Sequence, residues 1–475
     1  MTLLRIFCES SEANIVTMTI YNGKIMIKGI TMQDKLETYA LHTDHYELTM
    51  LDALVQSNQA DKRSIFEVFA RELPLGRSFG VFAGTNRLLP HLENFSFSDD
   101  MLRFLEEEKI VSKQTQEFLY SFNFRGDIMS YQEGETYFPY SPVITVEGSL
   151  GEALLIETLL LSIVNFDSAI ATAAARIVDA ASDRFVMEAG SRRIEPEAAV
   201  NAARAAYIGG VDVTSNLEAG RRWGIPTAGT ASHAYTLSFQ SEIDAFENQA
   251  KYLGEDSIFL VDTYDIETGI VNAVKASNTN LKGIRIDSGD LAIGAKSARS
   301  LLDDLGAPQA QIMVSGDLDE YKIERLVDAP IDAFESGHRL VTGSGAASAG
   351  FVYKLVAIEE NSSMPKMRPV KKRSEGKTSE GGKKFAQRTV DSNGMAIEES
   401  VFLEDAVEVN PQSPSCRPLQ REVMSSGEIV YLPTLEDSRH HLMNIMPEIP
   451  KEIRLRVDGE PAIPTVLHTK KGEYE

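Results

Sequence analysis

Apolar runs alternate with stretches of helical spacing through the middle of the chain. Seven short, strand-like runs follow one another, and they begin near Phe185, Val211, Pro226, Ser257, Lys282, Gln311 and Ile331. Repeated strand and helix units predict parallel strands joined by right-handed crossovers. Polar residues follow nearly every run instead of one or two of them. This distribution favours a (β/α) barrel over an open doubly wound sheet.

The chain before these repeats mixes helices and strands. Hydrophobic spacing predicts a helix over 46–56, a strand over 64–70 and a helical region over 84–120. From Leu150 to Val164 the residues are mostly apolar, but this stretch contains acidic residues and is too short to span a bilayer. We therefore expect a buried helix there.

An alternating pattern near the N-terminus predicts a β-hairpin. Residues 15–30 alternate apolar and polar side chains around Asn22-Gly23, a dipeptide that favours a type I′ turn. Two interpretations stay open. The segment is an edge hairpin of the protein, or it is an extension that precedes a natural start at Met32.

The chain changes character after Val356. Residues 361–388 carry nine lysines and arginines against two glutamates, and we expect a mobile basic loop there. Asn393-Gly394 indicates another hairpin, so the C-terminal part is expected to form a β-rich lobe that packs on the N-terminal one.

These patterns together predict an α/β fold with an irregular (β/α) barrel and a separate α/β lobe built from N- and C-terminal segments. The expected segments are an N-terminal extension over 1–38, an α/β lobe over 39–148, the barrel over 149–356, and the basic loop with the C-terminal segment over 357–475.

Charge and cysteine content narrow the classes of function. The net charge of −23 over 475 residues argues against nucleic acid or an anionic membrane as a partner, because both would be repelled. The two cysteines, Cys8 and Cys416, are too few for a disulfide framework. The first 30 residues lack the pattern of a secretory signal, so we expect a cytoplasmic protein.

One histidine follows a predicted strand at the place where barrel enzymes do their chemistry. His233 comes after Gly229-Thr230, where backbone amides and a hydroxyl can hold an anion. An imidazole at such a position can accept and pass on a phosphoryl group. The alternative is a buried, hydrogen-bonded histidine without a catalytic role.

Acidic and basic side chains follow other predicted strands. Arg285 can hold a carboxylate or phosphate, and Asp287 can accept hydrogen bonds from ribose hydroxyls. Asp262 and Asp265 are candidates for holding Mg²⁺, although each alone is more often structural. Asp290 is better placed as a helix cap.

Glycine and arginine residues add candidate anion contacts to the same rim. Gly316, in Ser315-Gly316-Asp317, lies in a turn that suits a phosphate and is equally typical of an ordinary helix cap. Arg192 and Arg193 follow another strand, where one can bind an anion while the other points away. Tyr46 alone would be interpreted as packing.

The segments TDHYELTM, FEVFARELP, GSRR, GTASH, VDTYD, RIDSGD and VTGSG, in this order, closely resemble the nicotinate phosphoribosyltransferase family over roughly residues 40–440. The resemblance implies a type II phosphoribosyltransferase fold and a head-to-tail homodimer. It also implies a reaction in which nicotinate and 5-phosphoribosyl 1-diphosphate give nicotinate mononucleotide, with ATP hydrolysis coupled to the transfer and Mg²⁺ at the diphosphate.

The resemblance also implies roles for individual residues. The residue matching the phosphorylated histidine is His233, and Tyr46 would stack on the pyridine ring across the dimer. Thr230, Arg285 and Arg192 would contact nicotinate. The remaining implied contacts are to the phosphoribosyl diphosphate, and they are made by Asp287, Gly316, Gly337 and His338.

Two positions qualify the resemblance. Relatives specific for nicotinamide carry an aspartate where this chain has Ala231, so its absence favours the acid over the amide. Relatives usually read Gly-x-Gly-Thr where this chain has Glu335-Ser336-Gly337-His338. We expect Glu335 to repel the 5-phosphate of the substrate, and His338 to replace the threonine hydroxyl as a donor.

Other functions stay open at the level of sequence. Phosphoribosyl transfer to nicotinamide or to quinolinate is the second enzymatic interpretation. Ala231 disfavours nicotinamide as the base, and His233 disfavours quinolinate. A catalytically silent binding protein is the interpretation from another class, because a fold alone does not assign a function.

Overall fold

The computed structural model describes residues 16–21, 24–29, 38–254, 257–278, 280–360, 366–372, 380–404 and 415–469. Strands in these ranges are, in chain order, β1 Val16–Tyr21, β2 Lys24–Gly29, β3 Arg63–Ala70, β4 Gly80–Val81, β5 Asp127–Tyr131, β6 Thr136–Tyr137, β7 Ile144–Ser149, β8 Phe185–Glu188, β9 Val213–Thr214, β10 Ile258–Leu260, β11 Gly283–Ile286, β12 Gln311–Gly316, β13 Ala333–Ser336, β14 Phe351–Glu359, β15 Met367–Pro369, β16 Lys384–Val390, β17 Ala396–Leu403, β18 Cys416–Pro418, β19 Gln420–Ser425, β20 Glu428–Ile429 and β21 Thr465–His468.

The α-helices of the same ranges are α1 His45–Gln56, α2 Thr85–Glu93, α3 Asp99–Glu107, α4 Lys113–Tyr120, α5 Leu150–Leu155, α6 Glu157–Ala181, α7 Pro196–Ile208, α8 Leu217–Trp223, α9 His233–Leu237, α10 Glu242–Leu253, α11 Ile266–Ala276, α12 Leu291–Asp304, α13 Glu320–Arg325, α14 His338–Val341, α15 Leu435–Ile445 and α16 Lys451–Arg454. The helical region expected over 84–120 is three helices, because Ser98 and Ser112 cap α3 and α4 through their side chains.

A six-stranded parallel sheet confirms the α/β barrel class. Its order is β10-β11-β12-β13-β8-β9, and a parallel bridge from Thr214 to Thr227 adds a seventh position. All seven predicted strand positions are therefore occupied. Among the described residues no ladder joins Thr227 to β10, which makes the barrel irregular.

Alternation along the barrel strands separates two faces. Ile284 and Ile286 are fully buried in the core that the strands share with the surrounding helices. Because successive side chains point to opposite faces, Arg285 between them lies on the inner face. Arg285 lies opposite Met313 on β12, and Ser315, two residues further along, shares the face of Met313. Ser315 lies opposite Glu335 on β13, so Glu335 is an inner residue too.

A seven-stranded sheet forms the second lobe from both parts of the chain. Its order is β15-β14-β3-β7-β5-β19-β20, so strands before the barrel pair with strands after it. This confirms the lobe of N- and C-terminal segments. The long helix α6 packs against both α7 and the lobe, and it is apolar and long enough to cross a membrane. However, 72% of its most apolar stretch is buried inside the protein, as in a core helix.

The expectation of a basic loop over 361–388 is wrong for its last part. Residues 384–388 belong to β16, which pairs with β17 and β18 in a four-stranded sheet. Lys384 and Arg388 are buried there because carboxylates accept from both of them, Glu67 from the first and Glu399 from the second. Residues 361–365 and 373–379 of the expected loop lie outside the described residues.

The N-terminal pattern does form a hairpin. β1 and β2 pair antiparallel from Val16 opposite Gly29 to Tyr21 opposite Lys24, in a two-stranded sheet of their own. The turn residues Asn22 and Gly23 lie outside the described residues.

Candidate functional site

The carboxyl ends of the barrel strands carry most of the residues that the sequence singled out. Asp262, Asp287 and Gly337 follow β10, β11 and β13, and Gly316 is the last residue of β12. His233 is the first residue of the short helix α9, after the strand position at Thr227. The carboxyl ends of parallel strands meet at one rim, so the fold places these residues on the same face.

Arg285 is the cation at the centre of the rim. Its side chain is 13% exposed. Nη1 donates to the Thr230 hydroxyl at 2.5 Å and to Glu335 Oε2 at 3.0 Å, while Nη2 donates to the Ala231 carbonyl at 3.3 Å. Nε is buried and has no hydrogen-bond partner among the described residues. The guanidinium is thus fixed by three groups, with donor capacity left for another acceptor.

His233 lies between a hydroxyl and two carboxylates. Its Nδ1 is 3.1 Å from the Thr263 hydroxyl, and Nε2 is 3.9 Å from both Asp262 Oδ1 and Asp287 Oδ2. The imidazole is 40% exposed, so a ligand can reach it. Polar groups therefore lie beside both ring nitrogens of His233.

Asp262 and Asp287 are held rigidly beside this histidine. Asp262 Oδ2 accepts from the Asp287 backbone N–H at 3.0 Å and from the Ser288 hydroxyl at 2.6 Å. Asp287 Oδ1 accepts from the Ser315 hydroxyl at 2.5 Å. Asp262 Oδ1 is buried without a partner among the described residues. An unpaired carboxylate oxygen facing the rim suits a cation.

The carboxylates of Asp262 and Asp287 fit a Mg²⁺ ion only if phosphate oxygens of the substrate supply further ligands. Among the described residues there is no group of three or more histidine, cysteine or acidic side chains arranged for a metal. Mg²⁺ commonly uses one or two carboxylates with waters and phosphates. Asp262 with Asp287 meets that requirement. Asp265 instead caps α11, where its carboxylate accepts from the backbone and hydroxyl of Thr268, and these bonds lower its pKa.

Asp290 is the cap that the sequence predicted. Its carboxylate accepts from the backbone N–H groups of Ala292 and Ile293 at the start of α12. This contact satisfies two amides that have no partner within the helix.

The turns after β12 and β13 contain the glycines expected at the phosphate. Gly316 has a φ of +129°, a conformation that L side chains rarely adopt. A Cβ on Gly337 would lie 3.1 Å from the Ala189 carbonyl. His338 is half exposed, and its Nδ1 is 3.6 Å from Asp317 Oδ1. The backbone therefore approaches closely at the Gly337 turn, whereas at the Gly316 turn it is the backbone conformation that favours glycine.

Glu335, which we expect to repel the 5-phosphate, is paired with a cation of the barrel. Its carboxylate, 16% exposed, binds Arg285, and the buried Glu188 lies near it. Burial and the charge of Glu335 raise the pKa of Glu188, although hydrogen bonds from Thr214 and the Gly190 N–H oppose the shift. The expected phosphate repulsion is therefore reduced by an ion pair.

Two predicted residues are not joined to this cluster. Among the described residues, no hydrogen bond, ion pair or ring contact links Tyr46 or Arg192 to His233 or Arg285. Tyr46 is 47% exposed on α1, and partial burial together with the nearby acids Glu157, Glu47 and Asp44 raises its pKa to about 12. Arg192 is exposed in a turn of 3₁₀-helix.

Sequence reasoning missed three partners. Thr263 binds His233, Ser315 binds Asp287, and Glu335 binds Arg285. Thr263 and Ser315 stand next to residues already singled out at strand ends, which was the available signal. Glu335 had no such signal as a partner for Arg285, because β12 separates their strands.

Family models match two consecutive parts of the chain. The model described as nicotinate phosphoribosyltransferase N-terminal domain matches residues 41–165. The model described as quinolinate phosphoribosyl transferase C-terminal domain matches residues 170–344, which contain the barrel.

Curated relatives cover nearly the whole chain. A Mycobacterium tuberculosis protein named nicotinate phosphoribosyltransferase pncB1 is 46% identical over 442 residues, which are 91% of this chain and 96% of the relative. A Bacillus subtilis nicotinate phosphoribosyltransferase is 40% identical over 387 residues, 80% of this chain and 79% of the relative.

Solved structures share the fold. Human nicotinic acid phosphoribosyltransferase superposes with a TM-score of 0.76 at 24% identity, over 90% of this chain and 97% of that one. A nicotinate-nucleotide pyrophosphorylase from Pyrococcus furiosus gives a TM-score of 0.71 at 25% identity, over 89% of this chain and 98% of that one.

Proposed function

This chain belongs to the nicotinate phosphoribosyltransferase family, and we propose that it joins nicotinate to 5-phosphoribosyl 1-diphosphate, yielding nicotinate mononucleotide and diphosphate. Hydrolysis of ATP to ADP and phosphate accompanies the transfer. The reaction brings nicotinate into NAD by salvage.

The observation that carries this proposal is the grouping of Arg285, His233 and Asp287 on one barrel rim. Arg285 supplies a cation for the carboxylate of the base, and Asp287 supplies an acceptor for ribose hydroxyls. His233 supplies a nucleophile beside Asp287. A protein that only binds ligands has no need of the third group.

Selection of the acid over the amide rests on Arg285 and its surroundings. The Thr230 hydroxyl and the Ala231 carbonyl position the guanidinium. Ala231 brings no side-chain charge, whereas a carboxylate at this position would repel nicotinate and accept from an amide. Arg192, on the same rim, is proposed as a further contact of the carboxylate.

The ATP coupling is assigned to His233. One ring nitrogen of His233 attacks the γ-phosphorus, and the bond from that phosphorus to the bridging oxygen breaks as ADP leaves. The carboxylates of Asp262 and Asp287 stabilise the positive charge that the phosphorylated ring carries. Water then releases phosphate.

The transfer step separates charge at the rim. The pyridine nitrogen attacks the anomeric carbon while the bond from that carbon to the diphosphate oxygen breaks, so the ribose gains oxocarbenium character. Asp287 holds the ribose hydroxyls in place. Mg²⁺, held by Asp262 and Asp287 together with phosphate oxygens, would neutralise the departing diphosphate. The backbone at Gly316 and Gly337, with His338, is proposed to hold the phosphate groups.

A head-to-tail homodimer would complete the site. Tyr46 is exposed, so its ring is available to stack on a pyridine ring. Within one chain it has no contact to the described rim residues His233 and Arg285, which is consistent with a role in the neighbouring subunit. We further propose that the enzyme works in the cytoplasm.

Product formation from three bases tests the function. Purified protein is incubated with 5-phosphoribosyl 1-diphosphate, Mg²⁺ and nicotinate, nicotinamide or quinolinate, with and without ATP, and mononucleotides are separated by chromatography. Selective turnover of nicotinate with stimulation by ATP is expected. Turnover of quinolinate without ATP, or no turnover of any base by the folded protein, would contradict the proposal.

A further inference from the structure

Arg285 is already engaged by a carboxylate of its own chain. Glu335 Oε2 lies 3.0 Å from Arg285 Nη1, and both side chains are largely buried, at 16% and 13% exposure. Little water reaches such a pair, so the attraction between the two charges is stronger than at a surface. In the free protein the positive charge of Arg285 is therefore neutralised locally.

The ion pair with Glu335 uses an Nη group of Arg285, and the Nη groups are the part of the guanidinium that a ligand can reach. Nε is buried, and it has no partner among the described residues, so an incoming anion is not able to use it without rearrangement. The two Nη groups remain, and Nη1 already donates to both Glu335 and Thr230. A second carboxylate that binds the Nη groups would thus lie close to Glu335.

Glu188 places another carboxyl group close to this pair. Burial and the charge of Glu335 raise the pKa of Glu188, which accepts from the Thr214 hydroxyl and the Gly190 N–H. Arg285 and Glu335 therefore sum to zero charge next to another carboxyl group. A negatively charged base gains less at such a position than it would at an unpaired arginine.

We propose that Glu335 is a specificity-determining residue that competes with the carboxylate of nicotinate for Arg285. This inference rests on the proposed function and deepens it, since it concerns how strongly the same site binds its acidic base. Binding of nicotinate displaces or repels Glu335, and this requirement raises the KM for nicotinate. An uncharged base meets no such competition.

Kinetics of Glu335→Gln test the competition. Glutamine has nearly the same size and can still accept from Arg285, but it carries no charge. We expect the KM for nicotinate to fall roughly tenfold, which corresponds to about 1.4 kcal/mol, while kcat changes less than threefold, because the variant removes a like charge close to the bound carboxylate. The KM for nicotinamide, where turnover is measurable, should stay unchanged.

Two further variants keep the test decisive. Glu335→Asp retains the charge, so its KM for nicotinate is expected to stay well above that of Glu335→Gln. Glu324→Gln, an exposed residue of α13, is the matched control for loss of one negative charge and should change nothing. An unchanged or higher KM for nicotinate in Glu335→Gln would overturn the competition and make Glu335 a residue that only positions Arg285.

Calorimetric titration of nicotinate and nicotinamide into each variant separates this proposal from the proposed function. If the wild type turns over nicotinate but Glu335→Gln binds nicotinate no more tightly than the wild type does, only the proposed competition is contradicted. A folded wild type that neither binds nor turns over nicotinate contradicts the function itself.

Discussion

A guanidinium can bind an anion in a strongly acidic protein only if its local surroundings outweigh the distant charges. The chain carries a net charge of −23, yet Arg285 is fixed at the rim by Thr230, Ala231 and Glu335. Distant surface charges are screened by salt within about 10 Å, whereas these contacts are not. Local geometry, not overall charge, therefore decides what the rim binds.

Replacing Arg285 with lysine tests this point. A lysine keeps the charge but loses the planar fork that holds a carboxylate with two parallel bonds. We expect kcat/KM for nicotinate to fall by roughly 10 to 100-fold, since a hydrogen bond to a charged group contributes about 1.5–3 kcal/mol. Steady-state rates over a range of nicotinate concentrations measure the effect.

Arg325→Lys, on the exposed end of α13, provides the matched control and should keep wild-type kinetics. If Arg285→Lys also keeps them, the carboxylate of nicotinate binds elsewhere.

Sequence patterns predicted the proposed site residues better than their partners. His233, Asp262 and Asp287 follow strand positions of the barrel and Arg285 lies near the end of β11, so the repeated units alone predicted one common rim. The pair of Arg285 with Glu335 depends on which strands are neighbours, because β12 lies between β11 and β13. Such a contact across two strands leaves no local pattern in the sequence.

At the scale of elements, the turn after β12 depends on one glycine. Gly316 has a φ of +129°, while an added Cβ would meet no atom nearer than the Asp287 carbonyl at 3.6 Å. Space is therefore sufficient, and only the backbone conformation disfavours a side chain. The turn is next to Ser315, which binds Asp287.

We expect Gly316→Ala to lower the free energy of unfolding by about 1–3 kcal/mol, the cost of a strained backbone conformation. It should also raise the KM for 5-phosphoribosyl 1-diphosphate, since the proposed phosphate turn would shift. Urea denaturation and steady-state kinetics measure the two effects.

Gly294→Ala in α12 is the control, because its Cβ would meet only Ile286 at 4.0 Å and alanine favours a helix. Equal stability of Gly316→Ala and the wild type would show that the turn tolerates a side chain.

Elements with clean periodicity were predicted well, and β16 shows why others were not. Its buried positions are Lys384, Ala386 and Arg388, so two of the three inward residues are basic. A hydrophobic pattern assigns lysine and arginine to the surface. Carboxylates on other strands make these positions tolerable inside the protein: Glu67, far away in sequence, pairs with Lys384, and Glu399 on the neighbouring β17 pairs with Arg388.

At the scale of the whole molecule, the buried carboxylate of Glu135 links the part of the lobe before the barrel to the segment after it. Glu135 is 2% exposed and accepts from Arg417 at 2.6 and 3.0 Å and from His441 at 2.9 Å, with Arg388 at 3.7 Å. Burial alone would raise the pKa of Glu135. Hydrogen bonds from His441 and Arg417, and the charges of Arg417 and Arg388, outweigh it and hold the pKa well below its ordinary value.

We expect Glu135→Gln to lower the free energy of unfolding at pH 7 by about 3–5 kcal/mol, because it leaves buried arginines with less compensation. A depressed pKa in the folded state stabilises the protein above the ordinary value of 4.5, and this stabilisation is lost as the pH falls below it. The variant should therefore lose less stability than the wild type on acidification.

Denaturation in urea at pH values between 7 and 3 measures both effects, because the loss begins below pH 4.5. Glu452→Gln, an exposed residue of α16, should match the wild type throughout. Equal stability and equal pH dependence of Glu135→Gln and the wild type would show that the network does not stabilise the fold.

The central claim is that the barrel rim transfers a phosphoribosyl group to nicotinate with ATP acting through His233. The most direct test measures nicotinate mononucleotide and ADP together, in the wild type and in His233→Ala, with and without ATP. We predict that ATP accelerates mononucleotide formation by the wild type and is consumed with it, while the variant shows neither the stimulation nor the ADP that accompanies turnover. Full stimulation by ATP in His233→Ala would contradict the account.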